Sequence, residues 1–169
     1  MIFSAKVTDG TFLKNMFEFL EEIIDEGLLL VRKDGLYIRA MDVSHICLIN
    51  LELYKEDFTE YNYVEDMDIG LNLLDVVKVT KTFASDDVVI FEANDQTKKI
   101  KFSLSSKKKG RNKSLNLNFI VLSEEELAIE DLHEIPYPNN ATFDLAHLNE
   151  AVKDASIFSE VLEIKVVGD

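Results

Sequence analysis

The chain has 169 residues, 47% of them hydrophobic, enough for one sizeable core or for a full domain with part of another. Acidic side chains outnumber basic ones by 32 to 18, a formal net charge of -14, which argues against nucleic acid as a partner unless a few lysines are gathered on one surface. No run approaches the length of a membrane span and the opening MIFSAKVTDG lacks the pattern of a secretory signal. The single cysteine, Cys47, excludes an intrachain disulfide and a cysteine-based zinc site, so a reducing compartment is expected.

A strand-helix-strand pattern recurs three times. Ile2–Val7 reads as a strand, and Gly10–Asp25 as an amphipathic helix with Leu13, Met16, Phe17, Leu20 and Ile24 on one stripe. Leu28–Val31 and Leu36–Ala40 read as strands joined by a turn at Lys33-Asp34-Gly35, and a long strand is expected at His45–Leu53. The second segment opens at Asp68–Leu71, continues as a helix over Leu73–Ala84, and returns through strands at Val88–Ala93 and Lys99–Leu104 about a turn at Asn94-Asp95-Gln96. Lys107–Lys113 is a basic run, read as a loop. Leu115–Leu122 follows as a strand in which Leu115, Leu117, Phe119 and Val121 alternate with polar residues.

Ser123–Asn140 is acidic, holds both prolines and reads as an extended linker. The third segment has a strand expected at Ala141–Asp144, a helix over Leu145–Ser159 and a returning strand at Leu162–Val167. The organisation is therefore a first domain of two repeats over residues 1–122, a connector over 123–140, and the start of a second domain over 141–169.

Nothing reads as a catalytic constellation. The six glycines are scattered singly, so none builds a phosphate-cradling loop, and His45, His133 and His147 lack metal-ligand spacing. No catalytic residue, metal or cofactor is expected. Two features call for explanation. Cys47, Ile49, Leu51 and Leu53 share one strand face, which leaves the apolar Ile46 and Leu48 on the other, close to Met41. They mark a partner site or a surface that the linker covers. Lys14, Lys78, Lys81 and Lys153 lie away from the apolar stripes of their helices. They are ordinary surface lysines or, if the helices pack side by side, one basic lining. Glu18, Glu21, Glu22 and Asp25 share the polar side of the first helix and dilute that lining.

The string Leu36-Tyr37-Ile38-Arg39-Ala40-Met41-Asp42-Val43-Ser44-His45-Ile46 closely resembles the Met-Asp-x-Ser-His motif of DNA sliding clamps of the proliferating cell nuclear antigen family. Phe3-x-Ala5 with Leu13-Lys14 resembles the first strand and inner helix of that family, and Gly70-x-Asn72-Leu73 with Lys78 and Lys81 resembles its second inner helix. Glu126-Leu127-Ala128-Ile129 resembles the interdomain connector, and Glu134-Ile135-Pro136-Tyr137-Pro138 looks archaeal in form. The matches run in order along the whole chain.

The resemblance implies an α+β clamp fold of strand-helix-strand-strand-strand units, with helices lining a central hole and sheets outside. Two such domains per chain and three chains make the family's ring. It implies a non-enzymatic sliding clamp subunit or fragment that confers processivity on DNA polymerase and encircles double-stranded DNA without reading its sequence. Lys14, Lys78, Lys81 and Lys153 match DNA-facing positions, whereas Glu21 stands where many relatives carry a base. Met41, His45, Ile46 and Leu48, with Leu127 and Ile129 of the connector, match the pocket in which polymerase, clamp loader, nuclease and ligase insert a short peptide. Leu115, Leu117, Phe119 and Val121 match the strand that joins the neighbouring subunit. A cytoplasmic location follows if the chain is archaeal, a nuclear one if eukaryotic, and no membrane is involved. Family members are longer, and here the third repeat stops near Gly168-Asp169. The expectation is a fragment, or a chain whose C-terminal half another polypeptide supplies. The alternative is a shortened, clamp-like regulatory protein that binds clamp partners or subunits without encircling DNA.

Overall fold

In the computed structural model, which describes residues 3–44, 46–106, 110–122, 136 and 140–165, the chain divides into two compact units, Met1–Leu127 and Ala128–Asp169. The first unit runs β1 (Phe3–Val7), α1 (Gly10–Glu21), β2 (Glu26–Val31), β3 (Gly35–Met41) and β4 (Leu48–Tyr54). A short 3-10 turn at Lys55–Asp57 and the small strand β5 (Glu60–Tyr63) follow. The pattern then repeats as β6 (Met67–Asn72), α2 (Leu73–Thr80), β7 (Val88–Asn94), β8 (Lys99–Ser106) and β9 (Arg111–Asn118). The described part of the second unit holds one helix, α3 (Leu145–Ser156).

Each helix starts where an Asx side chain accepts an otherwise unpaired amide of the first turn. Asp9 accepts from Thr11 N at 2.9 Å, Asn72 from Asp75 N at 3.0 Å, and Asp144 from Ala146 N at 2.9 Å. The strand before α1 and the strand before α2 therefore turn into helix by the same device.

The strands form two antiparallel sheets, ordered β5-β1-β7-β8-β9 and β4-β3-β2-β6. Each repeat gives its first strand to the sheet of the other: β1 pairs with β7, Phe3 opposite Ala93, and β6 pairs with β2, Met67 opposite Val31. The orders β1-β7-β8-β9 and β6-β2-β3-β4 are thus the same arrangement twice. A single bridge between Gly70 and Ile120, with Ile120 N donating to Gly70 O at 3.0 Å, links the far ends of the two sheets.

Helices α1 and α2 pack against each other. Leu13, Phe17 and Leu20 of α1 and Leu73, Val76 and Val77 of α2 are buried in one continuous core with the inner faces of both sheets. Leu13, Met16 and Phe17 meet Leu29, Leu36 and Ile38 of one sheet and Phe91 and Ile100 of the other around an apolar void of only about 10 Å³. The aromatic rings of Phe3, Phe58, Tyr61, Phe91 and Phe102 contact one another in a chain through this core. No helix among the described residues is long and apolar enough to cross a membrane.

Several expected boundaries move. The first helix ends at Glu21 rather than Asp25, although Ile24 is still buried because its amide folds back onto Leu20 O at 2.9 Å. The second ends at Thr80 rather than Ala84, where Phe83 N turns onto Thr80 O and the Asp87 carboxylate takes Ala84 N at 2.9 Å. Arg111–Lys113, expected in a basic loop, belong to β9, opposite Ser106, Ser105 and Leu104. The last strand accordingly begins at Arg111 and ends at Asn118. In the second unit, 141–144 and 161–165 are not strands. A helix satisfies its own backbone, but a strand needs a neighbour, and the described residues there offer none.

Candidate functional site

The outer face of the four-stranded sheet, away from the helices, carries Tyr37, Arg39 and Met41 of β3 and Leu48, Asn50, Glu52 and Tyr54 of β4. Met41 and Leu48 are direct cross-strand partners at the end of this hairpin, both half-buried. Leu28 of β2 lies on the same face and is also half-buried, a neighbour that sequence reading missed. Its signal was available: Leu28 and Leu30 both alternate out of register with the buried Leu29 and Val31.

Ile46 does not lie on the strand. The expected strand His45–Leu53 starts only at Leu48, so parity places neither Ile46 nor Cys47, and Cys47 is exposed rather than buried. The cause is Asp42. Its carboxylate accepts the Ile46 amide at 2.8 Å, the Cys47 amide at 2.6 Å, the Ser44 amide at 3.2 Å and the Ser44 hydroxyl. Asp42 N closes the loop by donating to Cys47 O at 3.0 Å. The Ser44 hydroxyl, then the Cys47 amide, push the Asp42 carboxyl down to about 2, since each bond favours the charged form. Held this way, the loop leaves Val43 93% and Ile46 87% exposed. His45, Leu127 and Ile129 of the expected pocket lie outside the described residues.

The expected DNA-facing lysines fall in both units. Lys78 and Lys81 are exposed on the side of α2 opposite its buried residues, and Lys78 pairs with Asp75 at 2.8 Å. Lys14 on α1 is half-buried, 4.0 Å from Glu18. Because α1 and α2 pack together, these three share the helical side of the first unit. Lys153 is exposed near the end of α3 in the second unit.

The expected interface strand is the edge of the five-stranded sheet, since β9 pairs with β8 alone. Leu115 and Leu117 are half-buried against the core. Phe119 and Val121 lie beyond the end of β9, and Val121 is fully exposed. Phe119 N donates to Lys98 O at 2.9 Å. Antiparallel alternation then turns the amides of Leu115 and Leu117 toward β8 and those of Ser114, Asn116 and Asn118 toward the open edge. At the other end, the Arg111 guanidinium donates to the fully buried Asp87 carboxylate and, at 3.2 Å, to Thr82 O.

Residues 2–126 match the family described as proliferating cell nuclear antigen, N-terminal domain. The chain is 31% identical to proliferating cell nuclear antigen 2 of Drosophila melanogaster over 163 residues, 95% of this chain and 62% of that one. It is 26% identical to the proliferating cell nuclear antigen of Dictyostelium discoideum, covering 96% of this chain and 62% of the relative. It is 27% identical to the DNA polymerase sliding clamp of Methanothermobacter thermautotrophicus, covering 99% and 66%. It thus spans a little under two thirds of the length of these relatives. Its fold is similar to the crystal structure of PCNA from Thermococcus kodakaraensis, with a TM-score of 0.78 at 22% identity over 94% of this chain and 61% of that one.

Proposed function

This chain belongs to the proliferating cell nuclear antigen family, and on that basis we propose that it is a subunit, or a portion of one, of a sliding clamp that tethers DNA polymerase to double-stranded DNA. The observation that supports this reading is a division within the first unit: lysines on the packed helices, and an apolar cluster on the outer face of a sheet. Lys14, Lys78 and Lys81 of the first unit contact phosphates without reading bases, and Lys153 of the second unit is proposed for the same role. A ring that encloses DNA needs only weak attraction, so a chain of net charge -14 with a few inward lysines suits sliding.

On the outer face of the four-stranded sheet, Met41, Ile46 and Leu48 receive the short peptide through which polymerase, clamp loader, nuclease and ligase are recruited; His45, Leu127 and Ile129 are proposed for the same role from the family's motif alone. An aliphatic plug the size of leucine gains about 2 kcal/mol by burial there. The open edge of β9 is the surface for another clamp subunit.

The test is calorimetric titration with a synthetic peptide carrying one aliphatic plug followed by two adjacent aromatic residues. Wild type binds it, and Leu48→Asp, on a face where the fold tolerates a charge, does not. A folded Leu48→Asp variant with wild-type affinity removes the peptide site from this face.

A further inference from the structure

We propose that Asp42 is the positioning residue of the peptide site: its carboxylate fixes the loop between β3 and β4 so that Ile46 stands out in its binding conformation before any partner arrives. The inference rests on the recruitment site proposed above and names what organises it. Asp42 makes no contact with a partner in this account. It acts through Ile46.

The geometry is specific. One side chain gathers three backbone amides, of Ser44, Ile46 and Cys47, and one hydroxyl. Every one of those donors would otherwise face water, because the loop contributes no rung to the ladder that ends at Met41 and Leu48. Backbone amides bonded to an ionised carboxylate are stronger partners than neutral pairs. The apolar side chains Val43 and Ile46 have almost no burial to hold them, so packing does not set the loop's conformation. The carboxylate and the Asp42–Cys47 backbone closure do. A partner that meets an ordered loop is spared the entropy of ordering it.

Asp42→Ala removes all four bonds, whereas Asp42→Asn keeps one oxygen for the Ile46 and Cys47 amides and puts an NH2 donor against the Ser44 amide. Both leave the core untouched. The experiment titrates the plug-and-aromatic peptide into wild type, Asp42→Asn, Asp42→Ala and Ile46→Ala, and measures amide hydrogen exchange in each free protein. The expected result is a roughly tenfold or greater loss of affinity for Asp42→Ala and a smaller loss for Asp42→Asn, appearing as a less favourable binding entropy, with exchange accelerated at Ile46 and Cys47 in Asp42→Ala. A purely structural role would leave the entropy split alone. If Ile46→Ala weakens binding while both Asp42 variants bind like wild type, the positioning role is overturned and the recruitment site stands. If the peptide binds none of the four, or all four equally, the recruitment site itself falls and this inference falls with it.

Discussion

Arg111, the first residue of the edge strand β9, donates its guanidinium to Asp87, whose side chain is 0% exposed, while that of Arg111 is 28% exposed. Asp87 Oδ2 also takes Ala84 N at 2.9 Å, so one carboxylate oxygen pins the end of the α2 turn and the start of β9 together. Among the described residues, Asp87 Oδ1 and Arg111 Nε are buried without a hydrogen-bond partner, so the pair is joined through one tooth of the fork. Removing the cation strands a buried carboxylate. Arg111→Ala is expected to cost about 2–3 kcal/mol in urea unfolding, below the usual figure for a buried pair because water reaches the guanidinium side. Asp87→Asn, which keeps an acceptor for Ala84 N, should cost less.

Gly70 is held to glycine by its neighbour. A Cβ there would lie 2.2 Å from Ile120 O and 3.0 Å from Ile120 C, both backbone atoms that cannot step aside alone. Gly70→Ala should break the Gly70–Ile120 bridge and destabilise the fold by about 1–3 kcal/mol. The measurement is paired: a lowered midpoint with selective loss of amide protection at Ile120. Loss of stability with Ile120 still protected would place the strain elsewhere.

Tyr61 of β5 ties one sheet to the turn of the other, sharing its one hydroxyl proton between Arg32 O at 2.6 Å and Gly35 O at 2.7 Å. Burial holds its phenol well above the usual tyrosine range. The unfolded chain then loses this proton first, so the stability it contributes is complete below about pH 10 and falls as pH rises above that value. Tyr61→Phe should cost about 1–2 kcal/mol at neutral pH and flatten the alkaline decline. An identical alkaline slope in the variant would assign the decline to other groups.

The open edge of β9 offers a sharp test of assembly. The Asn118 amide faces outward, so Asn118→Pro removes a donor from the edge without taking a bond from β8. Wild type is expected to self-associate weakly, or to bind tightly a chain that completes the clamp, and Asn118→Pro to do neither while remaining folded. Sedimentation across a range of concentrations reads this directly. Wild type that stays monomeric, binds no complementary chain and matches the variant would show that the edge is not an assembly surface.

Local order was legible wherever a side-chain period decided it. The stripe Leu13, Phe17 and Leu20 and the alternation of β7 and β8 place those elements closely, because burial on one face is what forms them. The exchange of first strands was not legible, since no local pattern tells β1 that its partner is β7. The strand start at His45 failed for a different reason: parity assumes the backbone bonds to a neighbouring strand, and here the Asp42 side chain takes those amides instead. The basic run misled in the same way, because Arg111 looked like a solvated charge until Asp87, far off in sequence, was placed beside it. Strand parity brought Leu48, with Met41 close by in sequence, into view, but not the half-buried Leu28 on the same face.

The exchanged first strands also set a schedule for synthesis. β1 meets β5 first, Phe3 opposite Tyr63, and gains its second neighbour only at Ala93, about 90 residues after Phe3. At roughly 5–20 residues per second, the newborn chain holds β1 without its β7 partner for on the order of ten seconds. During that interval the segment holding Phe3, Ala5 and Val7 is a natural foothold for a chaperone on the ribosome.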